Sequence, residues 1–130
     1  GVGLVYQKRK EYDVAFNFLR AALNLRHDVG YKREIAKTHN QLGVLLREQN
    51  KVSLALKYFR ESGISAEKLQ LHEEITVYAK NQYEIYKSWN KHDSALKYYE
   101  IYFNSVEKIK QKETEHALTE FAFLNDLEKI

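Results

Sequence analysis

Cysteine is absent from the 130 residues, which excludes disulfides, thiolate metal sites and cysteine nucleophiles and leaves the redox compartment undetermined. Proline is absent as well, and glycine numbers only five. Without that turn punctuation a β-rich fold has little to build with, and an all-helical chain is the economical reading. An excess of one charge is also lacking. The 21 basic and 18 acidic residues are interspersed, for a net charge of +3, too mild an imbalance to argue for nucleic acid. No stretch is apolar enough to be a signal peptide or a membrane span, so no membrane contact is expected within the segment. The compartment, cytoplasmic or periplasmic, stays open. The chain begins at Gly1-Val2-Gly3, in mid-pattern and without methionine, and residues 1–130 are expected to be a piece of a longer protein.

The chain does contain a repeat of itself. Asp93-Ser94-Ala95-Leu96-Lys97-Tyr98-Tyr99 restates Ser53-Leu54-Ala55-Leu56-Lys57-Tyr58-Phe59, and Asp13-Val14-Ala15-Phe16-Asn17-Phe18-Leu19 stands a further step back. Ala15, Ala55 and Ala95 share one phase, as do Leu19, Phe59 and Tyr99, at a period of 40 residues. A fixed period of roughly 20 to 50 residues signals stacked helical units, none of which buries its apolar face alone.

The period divides the chain into units of about 1–30, 31–70 and 71–112 with a half-unit at 113–130, one domain of about seven helices. A first helix, its beginning missing, is expected to end near residue 9 with a turn at Lys10-Glu11. Asp13, Ser53 and Asp93 suit the N-terminal turns of three later helices. From Tyr12 to about His27 the apolar residues Ala15, Phe18, Leu19, Ala22, Leu23 and Leu25 recur at helical spacing and predict one buried stripe, broken at Asp28-Val29-Gly30. Helices are predicted over about 32–48, 52–69 and 72–88, closed by Gln49-Asn50-Lys51, Gln70-Leu71 and Trp89-Asn90-Lys91. Gly63, inside the third of these, predicts a kink or a close neighbour. The stripe Ala95, Leu96, Tyr99, Tyr102, Phe103, Val106 and Ile109 marks a helix to about Lys112, and a separate last helix is predicted from Thr114 to Ile130. Short turns make consecutive helices antiparallel.

Val2-Gly3 with Tyr6, then Ala15, Leu19 and Ala22, and again Leu42-Gly43 with Leu46, then Ala55, Phe59 and Ser62, resemble the tetratricopeptide repeat. The resemblance covers nearly the whole chain and implies a right-handed superhelical stack of antiparallel helical hairpins, an α-solenoid. Gly43 and Ala55 then sit at a close crossing, while Phe59 and Tyr99 fill the space between hairpins. Tyr83 replaces the glycine of the third unit, the period is 40 rather than the family's usual 34, and no proline closes a unit, so the third unit is expected to be least regular. The variant resembles the repeat arrays of bacterial sensor and regulatory proteins, whose output domain would lie outside the segment.

Chemistry was sought and little was found. His27, His39, His72, His92 and His116 form no metal-ligand spacing, and no metal or cofactor is expected. His39 reads as a packed histidine, and His72-Glu73-Glu74 as the first turn of a helix. No phosphate loop or nucleophile elbow is present, so catalysis is not expected. The ten tyrosines and six phenylalanines read mostly as core.

Binding by stacked hairpins uses the wall built from first helices. By the resemblance that wall carries Lys37, Asn40, Val44, Arg47 and Glu48 in one unit and Val77, Lys80, Glu84, Lys87 and Ser88 in the next, a mixture suited to a protein or peptide partner. The family's clamp for a chaperone's C-terminal carboxylate is not matched: Asn40, Val44 and Ala117 stand at three of its slots, and only Asn81 agrees. A receptor for a small peptide or ligand is the second reading. Of the last helix, Ala117, Phe121 and Leu124 are expected to dock on the preceding hairpin. Phe123, Leu127 and Ile130 then point away and predict self-association, most simply a homodimer.

Overall fold

The computed structural model describes the backbone of residues 2–29 and 32–129 and the side chains of residues 8–25 and 32–129. Those residues form five α-helices and no strand: α1 (Val2–Val29), α2 (Lys32–Glu48), α3 (Val52–Leu69), α4 (His72–Ser88) and α5 (His92–Glu128). The expected packing of Val2, Gly3 and Tyr6, the environment of His27 and the break at Gly30 lie outside the described residues, as does Ile130.

The turns after α2, α3 and α4 are the same device used three times. Asn50, Gln70 and Asn90 take φ values of 64°, 53° and 57°, the left-handed conformation that ends many helices. In each, the following N–H closes back on a carbonyl five residues earlier: Lys51 to Leu46 at 2.8 Å, Leu71 to Ala66 at 2.9 Å, Lys91 to Tyr86 at 2.9 Å. Two of the three positions are asparagine, the non-glycine residue that tolerates this conformation best, so the chain turns sharply without proline or glycine. Trp89, the single tryptophan, closes α4 with its indole edge-on to Tyr86 at 5.9 Å and Lys91 Nζ 5.7 Å from its ring.

Helices α2 and α3 form one hairpin and α4 and α5 the next; α3 packs on α4, α2 also touches α4, and α1 lies on α2. The core runs through these contacts, with Phe59, Leu46, Ala55, Ala66 and Ala79 fully or almost fully buried. At Gly43 α2 lies tight against α3: a Cβ built there would stand 2.6 Å from the Phe59 ring. The expected close approach is present at Gly43, its partner being Phe59, and Ala55 is wholly buried. Gly63 answers to the second of its two predicted reasons, since a Cβ there would meet the Tyr78 ring at 3.2 Å.

Forty residues on, the fit changes. Position 83 holds tyrosine where position 43 holds glycine, and Tyr99, in the phase of Phe59, is pushed to the rim, 43% exposed with its ring 5.1 Å from that of Tyr83. Tyr99 does not fill an interior space as expected; it lies at the rim against the partly buried Tyr83.

Four expectations fail outright. The turn at Lys10-Glu11 is absent: α1 is one helix through that point. Asp13 consequently lies mid-helix, whereas Ser53 and Asp93 do fall in the first turns of α3 and α5, behind caps at Lys51 and Lys91 that make no side-chain hydrogen bond. The break near residue 113 is absent too, so α5 is a single helix of 37 residues. The residues from Lys8 to Asp13 and from Lys108 to His116 contain no glycine, proline or asparagine, and nothing in them stops a helix. Five helices replace the seven expected. Finally, Phe121 and Leu124 do not dock; they are 70% and 55% exposed.

The stripes of the outer helices are thinner than predicted. Among the described residues of α1 only Leu23 is buried, with Phe18 and Leu25 exposed, and on α5 Leu96 and Phe103 are exposed. Among the described residues each of these helices has one neighbour, α2 for α1 and α4 for α5, and one neighbour covers one narrow stripe.

Candidate functional site

Because α2 and α4 lie side by side, equivalent residues of two units share one face. A groove of about 380 Å³ opens there, lined by Leu19 of α1, by Lys37, Asn40, Gln41, Val44, Leu45 and Glu48 of α2, and by Glu74 and Val77 of α4. It brings together Lys37, Asn40, Val44 and Glu48, four of the eight residues predicted for the binding face. Val44, Leu45, Val77 and Leu19 give it an apolar floor, and Lys37 and Glu48 stand exposed at its rim.

Asn40 is 2% exposed. Its Nδ2 donates to the Glu74 carbonyl and to Glu74 Oε2, both at 3.0 Å. Its Oδ1 is buried and accepts from nothing. The residue thus ties α2 to α4 with one end and keeps an unpaired acceptor below the surface with the other.

Arg47 behaves differently from expectation. Its Nη1 donates to Asn81 Oδ1 at 2.8 Å and its Nη2 to Glu84 Oε2 at 3.5 Å. This bridge between α2 and α4 pairs Arg47 with Glu84 while both side chains stay partly exposed, at 32% and 40%, and Asn81 is further held by donating to the Val77 carbonyl at 2.8 Å. Lys80 and Lys87 are exposed on α4 outside the groove, and Lys87 Nζ lies 5.6 Å from the centre of the Tyr83 ring. The eight predicted residues therefore separate into a groove set, a bridge pair and two outlying lysines. Charge and spacing could put them on one face; only the α2–α4 contact decides which are spent on each other.

The larger cleft between α1 and the end of α2, about 580 Å³, is lined by Tyr12 and by charged and polar residues such as Lys8, Arg9, Asp13 and Lys51. His39 is buried beside Tyr58, ring centroids 6.2 Å apart, as a packed histidine. His72-Glu73-Glu74 opens α4 as expected, with both acids in the first turn. On α5, Leu118, Phe121, Phe123, Leu124 and Leu127 are all about half exposed or more.

One residue was missed. Gln82 occupies the repeat position of Leu42 and is 1% exposed, with neither Nε2 nor Oε1 hydrogen-bonded. Aligning the units at the period of 40 residues would have shown a polar amide at a core position. Among the described residues no helix is long and apolar enough to cross a membrane.

Residues 1–62 match the family model of the tetratricopeptide repeat. No curated protein and no solved structure matches the chain.

Proposed function

From the match of residues 1–62 to the tetratricopeptide-repeat model we propose that the chain is a binding module of that family, taking an extended peptide or a partner helix in the groove on α1, α2 and α4. Repeats of this family mediate protein–protein interaction. The observation that carries the assignment to this groove is its lining, an apolar floor of Leu19, Val44, Leu45 and Val77 with Lys37 and Glu48 exposed at the rim. Apolar side chains of a partner would cover that floor while its polar groups meet the rim. The groove is open rather than enclosed, which favours a macromolecular partner over a small-ligand receptor. The forty-residue period, resembling arrays of bacterial sensor and regulatory proteins, supports a place in signalling, with partner binding read out by a domain beyond this segment.

The exposed stripe on the second half of α5 supports a further part of this reading, self-association of two copies. Phe123 and Leu127, four residues apart on α5, are neighbours on the helix surface, with Leu124 on the other flank of Leu127, and these three would form the contact patch.

The groove is tested by capture from an extract of the source cells on immobilised chain. Lys37→Glu with Val77→Asp, both on the exposed face, is expected to abolish capture of bound proteins while circular dichroism stays unchanged. Undiminished capture would remove the groove from consideration and point to the outer faces of the stack.

A further inference from the structure

On the other side of α4 lies a second groove. The position that Leu42 fills as wholly buried core holds Gln82 one repeat later, also buried, and both ends of its amide lack a hydrogen-bond partner. A leucine would satisfy the packing, and an amide with nothing to bond is unfavourable in its place. Gln82 and Tyr78 line the floor of this groove of about 380 Å³, between α3, which contributes Arg60, Gly63 and Glu67, and α5, which contributes Lys97. Gly63 leaves the α3 wall without a side chain. Glu67 is already engaged, since its Oε1 accepts the Tyr78 hydroxyl at 2.5 Å. Arg60 and Lys97 are exposed and make no ion pair among the described residues, so the uncommitted charge at the rim is positive.

The chemistry of the amide narrows the occupant. A bare anion would pair with Nε2 and leave Oε1 buried without a donor; a cation would do the reverse. What satisfies both is a group presenting a donor and an acceptor side by side, as one residue of an extended backbone does when its N–H and C=O point to the same edge. We propose that the groove between α3 and α5 is a second peptide site, holding an extended acidic segment whose backbone pairs with Gln82 and whose carboxylates meet Arg60 and Lys97. Both amide atoms of Gln82 are buried, so docking requires the walls of the groove to part over them. The site is independent of the groove on α2.

The test uses the whole chain labelled with 15N, the Gln82 side-chain amide resonance being identified by its loss in Gln82→Met. The probe is the blocked pentapeptide acetyl-Glu-Val-Glu-Val-Glu-amide, with the lysine analogue acetyl-Lys-Val-Lys-Val-Lys-amide as its control. The acidic peptide is expected to shift the Gln82 amide saturably and the lysine peptide to leave it in place. Gln82→Met is expected to weaken binding tenfold or more and to melt higher than the parent, because it removes an unsatisfied amide at nearly constant volume. Arg60→Glu with Lys97→Glu, at exposed positions, should abolish binding without changing the melt. Lys37→Glu with Val77→Asp should leave this binding intact whatever happens in the first groove. An unmoved amide, an equal response to both peptides, or a Gln82→Met chain that melts lower and binds as before would overturn the proposal.

Discussion

At residue 43 the neighbouring side chain has left no room for a methyl group: the Phe59 ring, wholly buried, lies where a Cβ would go. Gly43→Ala gains helix propensity of about 1 kcal/mol but forces that ring off its seat, and overpacking of this kind costs roughly 1 to 3 kcal/mol. The variant is expected to be destabilised in urea, in spite of the propensity. A gain in stability would mean that the ring relaxes freely. Tyr78 gives a second test at this scale. Burial first, and then the hydrogen bond and charge of Glu67, raise its hydroxyl above the ordinary value of 10.0. The unfolded chain ionises this group near 10.0 while the folded chain holds its proton, so its contribution is complete below that pH and is lost as pH rises past it. Urea midpoints are expected to fall more steeply above pH 10 in the parent than in Tyr78→Phe. Parallel slopes would refute the assignment.

Helices α1 and α5 show where a repeat pattern misleads about elements. The breaks at Asn50, Gln70 and Asn90 were legible because the residues themselves stop a helix or close a short turn, and the α2, α3 and α4 boundaries follow. The breaks expected at Lys10 and near residue 113 were extrapolated from the period. The phase that holds Asn50 and Asn90 holds Lys10 one repeat earlier, and lysine has neither the left-handed preference nor the side-chain hydrogen bonding to interrupt a helix. The face carrying the groove was legible through the resemblance to the repeat family, which puts Lys37, Asn40, Val44 and Glu48 on one side of the first helix of a unit. The Arg47 bridge and the unpaired Gln82 were not, since each depends on which residues of α3, α4 and α5 stand opposite. The long α5 also carries its own prediction. Residues 111–129 are all exposed, and their helix is extended from a packed one, without the cost of a separate nucleus. Lys112→Pro is expected to lower the ellipticity at 222 nm by loosening that half while the thermal midpoint of the hairpins stays put. A falling midpoint would show that the second half of α5 supports the core.

For the whole molecule the question is what covers that second half. Phe121 and Leu118 are 70% and 63% exposed, and apolar residues in such density on one helix mark a contact surface. Light scattering is expected to give a mass that rises toward twice 15.4 kDa with concentration, and Phe121→Glu with Leu124→Glu should hold it at the monomer. A mass independent of concentration in the parent would rule out pairing through α5. This outcome is separate from partner capture in the groove on α2, which lies on the opposite half of the stack and uses none of these residues.

Trp89, set at the joint between α4 and α5 against Tyr86, has an optical consequence. It is the only indole among ten tyrosines, so emission excited at long wavelength originates at one joint, whereas ellipticity averages over every helix. In a stack whose units touch only their neighbours, the ends can loosen before the middle. Denaturant curves followed by the two signals are therefore expected to separate, ellipticity falling first as α1 and the far half of α5 fray, the indole responding only when the α4–α5 hairpin opens. Superimposed curves would mean that the units melt together. The protein thus carries, without any label, a local clock beside a global one.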